Sequence, residues 1–534
     1  MKRIWAFLNS GKGIGCLFFV VVAGLYYKSF AFDLTYFDDQ VWVLDYQWFF
    51  AKWSNALKFF TGADFISGCF YRPLLNLTFL IDSQVGHFHL WAYRLTNIII
   101  HVSGVWLVYK FFEHFLKDKK PALILALVFA VHPTLTMAVA WLPGRTDSLL
   151  GVFILAAFLC FAYYIDNPKK RFWLGHVFFM LCAFLTKETA LVLPVICLLY
   201  LWMVKKEWGV KKGWSFWLLW LIVLPAFLIL RKSIMAQQIT IVPLGTLISS
   251  FFENLPAVVL YLGKTLLPIN LSVLPILRDV THWYGVVVAA FLTILFIFTS
   301  EKDWLKISFG FVWFLLFLLP SLVMSFIEHE YRLYLPLLGI LLVLAQTDLF
   351  RASMKNKYVW VWVLIIASLG LKTFYHQDNL KNRLIFWKSA VNVAPHSPLA
   401  HRNLAAMYCL VKDFDRAEPE FKEAARLNYK EPMVHNNLGL IYMNRGKNIE
   451  AEKEYLLEIK YNQTYGNVYY NYGLLKYMEK QYPEGAKLFE QAIFYDPKHM
   501  DAVKMLLQYY RYIKDEGQIK RIEDYLRSNG VSGF

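Results

Sequence analysis

The chain has 534 residues, of which 58% are hydrophobic and only 18% are charged. Because soluble domains of this size hold fewer apolar residues, the composition excludes a wholly soluble protein and predicts that most of the chain lies in a membrane. The formal net charge is +16, and most of the basic excess falls before residue 380, in short clusters between apolar runs. That pattern is typical of loops that face anionic lipid, and it gives no support to nucleic-acid binding.

Eleven apolar stretches can cross a bilayer as helices, which takes about 20 residues, or fewer where the bilayer thins. They lie at residues 14–32, 88–112, 121–138, 148–166, 172–186, 189–204, 214–230, 283–300, 307–327, 333–349 and 358–374. Every second connection is basic, so the positive-inside rule places those connections in the cytoplasm and the C-terminal region on the opposite side. A further apolar stretch, 255–263, is interpreted as interfacial or re-entrant.

Two long connections fall on the predicted outer side. The first, 33–87, begins with the acidic pair Asp38-Asp39 and continues as an aromatic stretch that resembles an amphipathic helix in the lipid head groups. The second, 231–282, carries basic residues beginning at Arg231. Positive charge on the outer side runs against the usual bias, and binding of an anionic lipid head group would account for it.

The C-terminal third, residues 381–534, repeats with a period of 34 residues, which is the length of a tetratricopeptide (TPR) unit. Three full repeats occupy 398–431, 432–465 and 466–499, with partial repeats as caps on both sides. One position of each repeat holds an asparagine, and these are Asn403, Asn437 and Asn471. A carboxamide both donates and accepts hydrogen bonds, so a ladder of them predicts a groove for an acceptor peptide. The alternative is that this asparagine belongs to the ordinary repeat consensus.

Polar residues gather at the predicted outer ends of the spans, where a charge is costly unless it has a function. They are Asp38, Asp39, Arg72, His132, Arg145, Asp147, Lys187, Glu188, Glu330 and Arg332. Each has a structural alternative. The acidic pair can cap a helix, the basic residues can reach toward head groups, and His132 before a proline can end a span. Asp147 can pair with Arg145 or cap a span, and Lys187 can pair with Glu188.

Five motifs occur in a fixed order ahead of the repeats. They lie at 71–75, 91–101, 132–150, 185–191 and 331–336. This order resembles the transmembrane and TPR-containing protein O-mannosyltransferases and their prokaryotic relatives. The resemblance implies an all-α protein with a polytopic transmembrane bundle of GT-C type over residues 1–375 and an extracytoplasmic TPR α-solenoid over 381–534. It further implies a multi-pass protein of the bacterial or archaeal cytoplasmic membrane or of the ER membrane.

The same resemblance implies a chemistry, namely transfer of a hexose such as mannose from a polyprenyl- or dolichyl-phosphate donor to serine or threonine hydroxyls of a protein, with inversion. A lipid phosphate leaves with little need for protonation, whereas the attacking hydroxyl needs a general base. By resemblance Asp38 is that base, and Asp39 orients the site or holds an ion. Fixed cations would neutralise the departing phosphate, and the candidates are Arg72, Arg145, Lys187 and Arg332.

The sequence departs from the family pattern after His132. Where the family often reads His-Pro-x-His-x-Glu, this chain carries Leu135 and Met137 in place of the second histidine and the glutamate. A divalent metal ion is therefore an open alternative rather than an expectation. Two other functions also stay open: the same fold acting on a lipid or surface glycan, and a non-catalytic membrane-anchored TPR scaffold.

Overall fold

A computed structural model describes the protein in five stretches of the chain. They are residues 10–66, 70–205, 210–235, 243–324 and 329–528. The elements of regular structure within them are helices, as the sequence predicts. Two compact units divide between Val393 and Ala394, which is later than the expected boundary because the helix Arg383–Val393 packs with the first unit.

The first unit is a bundle of mostly apolar helices. The larger ones are Gly11–Tyr26, Pro73–Gly86, Leu90–Leu116, Lys119–Ala130, Arg145–Asp166, Lys170–Phe184, Val192–Leu199, Val210–Met235, Leu244–Asn254, Pro256–Leu266, Trp283–Phe298, Trp304–Met324, Pro336–Leu344 and Val359–His376. Each predicted span overlaps one of them. Within the described residues, seven helical stretches are long and apolar enough to cross a membrane, or nine if each of two bent pairs is one crossing. The predicted count of eleven is thus higher, because three of the predicted spans hold shorter helices.

The helix Arg145–Asp166 lies near the centre of this bundle and packs against its neighbours Leu90–Leu116 and Lys170–Phe184. Gly151 on this helix and Gly104 on Leu90–Leu116 leave room for the ring of Tyr334, since a methyl group at either glycine would overlap that ring. The buried Tyr334 hydroxyl lies 3.0 Å from His101 Nδ1. This packing ties the segment after residue 329 to the core.

Two ion pairs fix the chain on either side of the apolar stretch 255–263. Arg231, in the helix Val210–Met235, pairs with Glu188 at 3.6 Å, and Lys264, directly after the stretch, pairs with the buried Glu330. The two helices Leu244–Asn254 and Pro256–Leu266 have 11 residues each, and together they form a pair bent by 44°, which is either one broken crossing or a re-entrant loop. The re-entrant or interfacial interpretation of 255–263 is compatible with this geometry and stays a prediction.

The aromatic stretch after Asp39 differs from the single amphipathic helix that we expected. It forms three short helical turns, Val41–Asp45, Gln47–Phe50 and Trp53–Phe60. The reason is that its apolar side chains point inward from several directions. Trp42, for example, stacks on Phe79 at 4.3 Å between ring centroids, as part of a buried cluster over the helix Pro73–Gly86. Other aromatic side chains of the stretch, such as Trp48 and Trp53, remain exposed, as a head-group location requires.

The second unit consists of four antiparallel helix pairs. They are Pro398–Leu410 with Phe414–Leu427, Val434–Asn444 with Asn448–Tyr461, Gly466–Met478 with Tyr482–Tyr495, and Met500–Ile513 with Glu516–Ser528. Gly439 and Gly473 let the rings of Tyr455 and Phe489 pack closely against the first helix of their pairs. These pairs confirm the predicted TPR solenoid, and the last of them is a full helix pair rather than a partial cap.

Candidate functional site

The loop that carries the acidic pair has an unusual backbone. Asp38 has a φ of +67°, in the left-handed region that side chains other than glycine rarely adopt. The buried Asp39 side chain holds this turn, because its carboxylate accepts hydrogen bonds from Thr35 N at 2.7 Å, Thr35 Oγ1 at 2.9 Å and Tyr36 N at 2.9 Å. A strained conformation of this kind persists only where its surroundings fix it, which is common at functional sites.

Phe37, between the two left-handed residues Tyr36 and Asp38, anchors the loop from the other side. Its ring stacks on Trp141 at 5.2 Å and on Phe386 at 5.6 Å. The indole of Trp141 also donates a hydrogen bond to the Phe37 carbonyl at 3.1 Å. The loop is therefore held by the 132–150 motif and by the last helix of the first unit.

The Asp38 carboxylate itself is the exception in this well-bonded loop. It is half-buried, and no group in the described parts of the chain hydrogen-bonds to it or pairs with it. Burial raises the pKa of Asp38, the charge of Asp64 raises it further, and Arg72 opposes the shift. A carboxylate with a raised pKa and no partner is a stronger and more available base than an ordinary aspartate.

Cations and carboxylates alternate beside Asp38. Arg72 Nη2 lies 3.3 Å from Glu188 Oε2, and Lys187 Nζ lies 2.8 Å from Asp147 Oδ2. The motifs at 71–75 and 185–191 meet here because Leu74 N donates a hydrogen bond to Leu185 O at 3.1 Å. The half-buried Arg332 also belongs to the cluster, because its charge acts on Lys187 and on Tyr331. The charges of Asp38, Arg72 and Asp147 act on Tyr331 as well.

The structure thus brings six of the predicted site residues together. They are Asp38, Arg72, Asp147, Lys187, Glu188 and Arg332. It also decides two of the pairings that we considered. Asp147 pairs with Lys187 and not with Arg145, and Glu188 pairs with Arg72 and Arg231 and not with Lys187. An arrangement of three cations and two carboxylates next to an unpaired base can accept an anionic ligand if the carboxylates release their partners.

Four other predicted residues are bound within the protein. Asp39 holds the acidic loop. The buried Arg145 pairs with Asp82 at 2.5 Å and donates hydrogen bonds to Asn97 Oδ1 at 2.7 Å and Tyr93 O at 2.8 Å.

His132 and Glu330 are the remaining two. His132 is buried, with Nδ1 at 2.7 Å from Thr134 Oγ1 and Nε2 at 3.2 Å from Thr265 O. Glu330 is buried against Lys264 and accepts a hydrogen bond from Ser272 N at 2.9 Å. All four side chains are thus occupied by contacts within the protein. A direct substrate contact by Asp39, His132, Arg145 or Glu330 stays a prediction.

The sequence analysis missed Asp64. This residue is 5% exposed, its N–H donates to Phe70 O at 2.7 Å, and its Oδ1 accepts from Ile66 N at 3.0 Å. A lone carboxylate in an aromatic loop has no periodic signal. The one available clue was its position in a connection that already carried Asp38 and Arg72.

The asparagines of the solenoid lie at equivalent positions in three helix pairs, and all three are half-buried. Asn437 Nδ2 donates to Met433 O of its own helix at 2.8 Å, and Asn471 Nδ2 donates to Asn436 Oδ1 at 2.8 Å. Asn403 Oδ1 accepts from Arg402 Nε at 3.4 Å. Each carboxamide therefore has a local partner, and the peptide-binding role of these asparagines stays a prediction.

Within the part of the chain that the structure describes, no three His, Cys, Asp or Glu side chains are grouped so that they could hold a metal ion. A divalent metal ion stays an open alternative. Leu135 and Met137, at the positions where the family often has a ligand-type residue, are buried apolar side chains.

Part of the membrane bundle is similar to a known family. Residues 73–230 match the family described as dolichyl-phosphate-mannose-protein mannosyltransferase. The matched range begins directly after Arg72, with the helix Pro73–Gly86. It also contains the 91–101 motif, Arg145, Lys187 and Glu188. The similarity therefore covers three of the six clustered residues, Asp147, Lys187 and Glu188, and not Asp38, Arg72 or Arg332.

Several curated proteins are similar to part of this chain. Protein O-mannosyl-transferase TMTC2 of Mus musculus is 30% identical over 135 residues, or 24% of this chain and 16% of that protein. TMTC3 of Mus musculus is 35% identical over 133 residues, or 24% of this chain and 14% of that protein. Tmtc1 of Drosophila melanogaster is 32% identical over 127 residues, or 24% of this chain and 15% of that protein. The resemblance to this group is confirmed, and the matched segment spans only about a sixth of each relative's length.

A solved structure that aligns with the chain is MamA 41-end from Desulfovibrio magneticus RS-1. It is 16% identical, covers 27% of this chain and 85% of that chain, and has a TM-score of 0.25. The TPR assignment accordingly stands on the 34-residue period and on the four helix pairs.

Proposed function

We propose that the protein is a membrane glycosyltransferase that transfers a hexose from a polyprenyl- or dolichyl-phosphate donor to serine or threonine hydroxyls of a protein. The observation that carries the proposal is the unpaired Asp38 carboxylate, held on a fixed loop beside Arg72, Lys187 and Arg332. The similarity to protein O-mannosyl-transferases supports it.

The reaction is a single displacement at the anomeric carbon. Asp38 takes the proton of the acceptor hydroxyl while the hydroxyl oxygen forms a bond to that carbon. The bond between the anomeric carbon and the phosphate oxygen breaks, and its electron pair leaves with the lipid phosphate. Attack opposite the leaving group inverts the anomeric configuration. Because the base must be ionised, the rate falls as the pH drops through the raised pKa of Asp38.

Arg72 and Lys187 stabilise the phosphate as negative charge develops on it. Both cations are held by carboxylates, Glu188 and Asp147, at distances of 3.3 and 2.8 Å. Those contacts fix the cations in place before the donor binds, and the donor phosphate competes with the carboxylates for them. Arg332 supplies the third positive charge from the segment before Pro336–Leu344.

We further propose that the acceptor is a protein held by the TPR groove and that the repeats lie outside the cytosol, on the side of Asp38. Two features of the first unit support this. The bent pair Leu244–Asn254 and Pro256–Leu266 fits a re-entrant loop, which keeps the predicted number of crossings odd. In addition, Asp33 N donates to Lys381 O at 2.9 Å, so the chain following the last span starts beside the acidic loop. A reporter fused after Phe534 should be active outside the cytosol, and cytoplasmic activity would overturn this placement.

The decisive experiment uses the full chain in lipid nanodiscs with labelled polyprenyl-phosphate mannose and a serine- and threonine-rich peptide. Asp38→Asn should reduce turnover by about 10²- to 10⁴-fold, the usual contribution of a general base, with folding unchanged. The matched control is Asp45→Asn, which removes an exposed carboxylate from the same connection.

Each outcome of this experiment is informative. Unchanged turnover in Asp38→Asn would remove Asp38 as the base. Transfer to lipid or glycan in place of peptide would change the acceptor class. No transfer from any polyprenyl-phosphate hexose, together with peptide capture by the solenoid, would favour a scaffold.

A further inference from the structure

Four buried polar atoms beside Asp38 lack a hydrogen-bond partner among the residues that the structure describes. They are Asp64 Oδ2, Arg72 Nε, Arg231 Nε and Glu188 Oε1, the last of which has only the ion pair with Arg231 Nη2 at 3.6 Å. These atoms belong to one cluster, because Glu188 pairs with both arginines and the charges of Arg72 and Glu188 act on Asp64. Buried polar groups are nearly always satisfied in proteins, so a cluster of exceptions points to a ligand that would satisfy them.

Asp64 is the clearest of the four. Its Oδ1 and its backbone N–H are used within its own loop, by Ile66 and Phe70. Its Oδ2 is buried without a donor, and the nearest positive charge acting on it is Arg72. Oδ1 therefore has a structural role in holding the loop, whereas no structural role accounts for the burial of Oδ2.

The mixture of atoms restricts the chemistry of the ligand. Phosphate oxygens only accept hydrogen bonds, so they suit the two arginine Nε atoms and not Asp64 Oδ2. A metal ion suits carboxylate oxygens and not arginine. A hydroxyl group both donates and accepts, and it can therefore bridge a carboxylate and a guanidinium. Several hydroxyls on one ring would satisfy two acceptors and two donors together.

We propose that Asp64, with Arg72, binds the hydroxyl groups of the hexose on the donor lipid, and that Asp64 is thereby a specificity-determining residue. This inference rests on the proposed function. It places the sugar ring between Asp38 and the cations that would hold the phosphate. Asp64 Oδ2 accepts a hydrogen bond from one ring hydroxyl, and Arg72 Nε donates one to the same or the neighbouring oxygen.

The test measures binding rather than turnover. Full-length protein in nanodiscs is titrated with polyprenyl-phosphate mannose and with bare polyprenyl phosphate, and the ratio of the two affinities isolates the contribution of the sugar. Asp64→Asn keeps the side-chain volume and the acceptor for Ile66 but replaces the free oxygen with a donor. It should reduce the ratio by about 10- to 100-fold, as expected for loss of a hydrogen bond to a charged group, with the affinity for bare lipid unchanged. Asp45→Asn should leave the ratio as it is.

An equal loss of affinity for both lipids would show that Asp64 supports the loop or the phosphate, and it would overturn the proposal. If Asp64→Asn does not fold, the wild-type protein is titrated with single-deoxy forms of the donor, and equal affinity for all of them would overturn it as well. Transfer is measured in parallel. If the wild-type protein transfers sugar and Asp64→Asn keeps the wild-type ratio of affinities, this inference alone is contradicted. If the wild-type protein transfers nothing, the proposed function is contradicted.

Discussion

The two units use charged residues in opposite ways. In the membrane unit, buried charges pair with partners from distant parts of the chain, as in Arg145 with Asp82 and Lys264 with Glu330. In the solenoid, most charged pairs lie at the surface, and the core is made of small and aromatic residues that recur every 34 positions. The difference teaches that the bundle depends on a few specific long-range contacts, whereas the solenoid depends on a contact repeated between neighbours.

The largest expected effect on stability is that of replacing Arg145 in the membrane unit. Replacing it with methionine keeps an unbranched side chain but leaves Asp82, which is 2% exposed, without its cation. Breaking a buried pair in this way typically costs about 3–5 kcal/mol. Arg145→Met should therefore lower the thermal unfolding midpoint of the purified protein sharply, as followed by fluorescence in detergent.

Arg171→Met is the control for Arg145→Met, because Arg171 is exposed and should tolerate the change within about 0.5 kcal/mol. Restoring stability by the double substitution Arg145→Met with Asp82→Asn would support the pair as the cause. Equal behaviour of Arg145→Met and Arg171→Met would show that this buried pair does not hold the bundle.

The second prediction addresses the repeated contact of the solenoid. A Cβ at Gly439 would lie 2.5 Å from Tyr455 Cε1, which is far inside van der Waals contact. Gly439→Ala should destabilise the Val434–Asn444 pair by about 1–3 kcal/mol through overpacking. Hydrogen exchange of this helix in the full-length protein measures the effect.

The same substitution at Gly517 is the matched comparison. Its Cβ would meet only Asp515 Oδ1, at 3.5 Å, so the gain in helix propensity should make Gly517→Ala neutral or stabilising by up to about 1 kcal/mol. A destabilisation of equal size at both glycines would mean that backbone effects, and not ring packing, govern the solenoid.

These two contacts also show what the sequence could predict. The position of Gly439 opposite Tyr455 follows from the 34-residue period, because repeats encode their own neighbours. Helix existence and order in the bundle followed in the same way from apolar runs, although the runs outnumber the long apolar helices among the described residues. Local pattern is sufficient wherever a residue's partner lies at a fixed distance along the chain.

The candidate site was less predictable because its pairings depend on how helices cross. The sequence placed Arg145 two residues from Asp147, and yet Arg145 turns to Asp82 on another helix, while Asp147 meets Lys187. Asp64 gave no signal at all, since its importance depends on a loop that brings it to Asp38. The sequence presents the acidic pair as one unit, and only the structure separates the bonded Asp39 from the unpaired Asp38.

The smallest expected effect is a pH dependence in the solenoid. His435 Nδ1 lies 2.6 Å from Glu454 Oε2, and His401 makes the same contact with Glu420 one repeat earlier. Burial acts to lower the pKa of His435, but the hydrogen bonds to Glu454 and to the Tyr429 carbonyl outweigh it and raise the pKa. A raised pKa in the folded state means that the pair contributes fully below the unfolded value of about 6.5 and is lost as pH rises through the folded value.

The helices around His435 should therefore be more stable at pH 6 than at pH 8.5, by about 0.2–1 kcal/mol for a partly exposed pair. His435→Gln and Glu454→Gln should each remove this pH dependence, since either change breaks the same contact, and hydrogen exchange of Val434–Asn444 and Asn448–Tyr461 at the two pH values measures it. A solenoid whose stability rises with pH, or a variant that keeps the wild-type dependence, would remove the histidine pairs from the comparison and leave the repeated ring contacts as the source of solenoid stability.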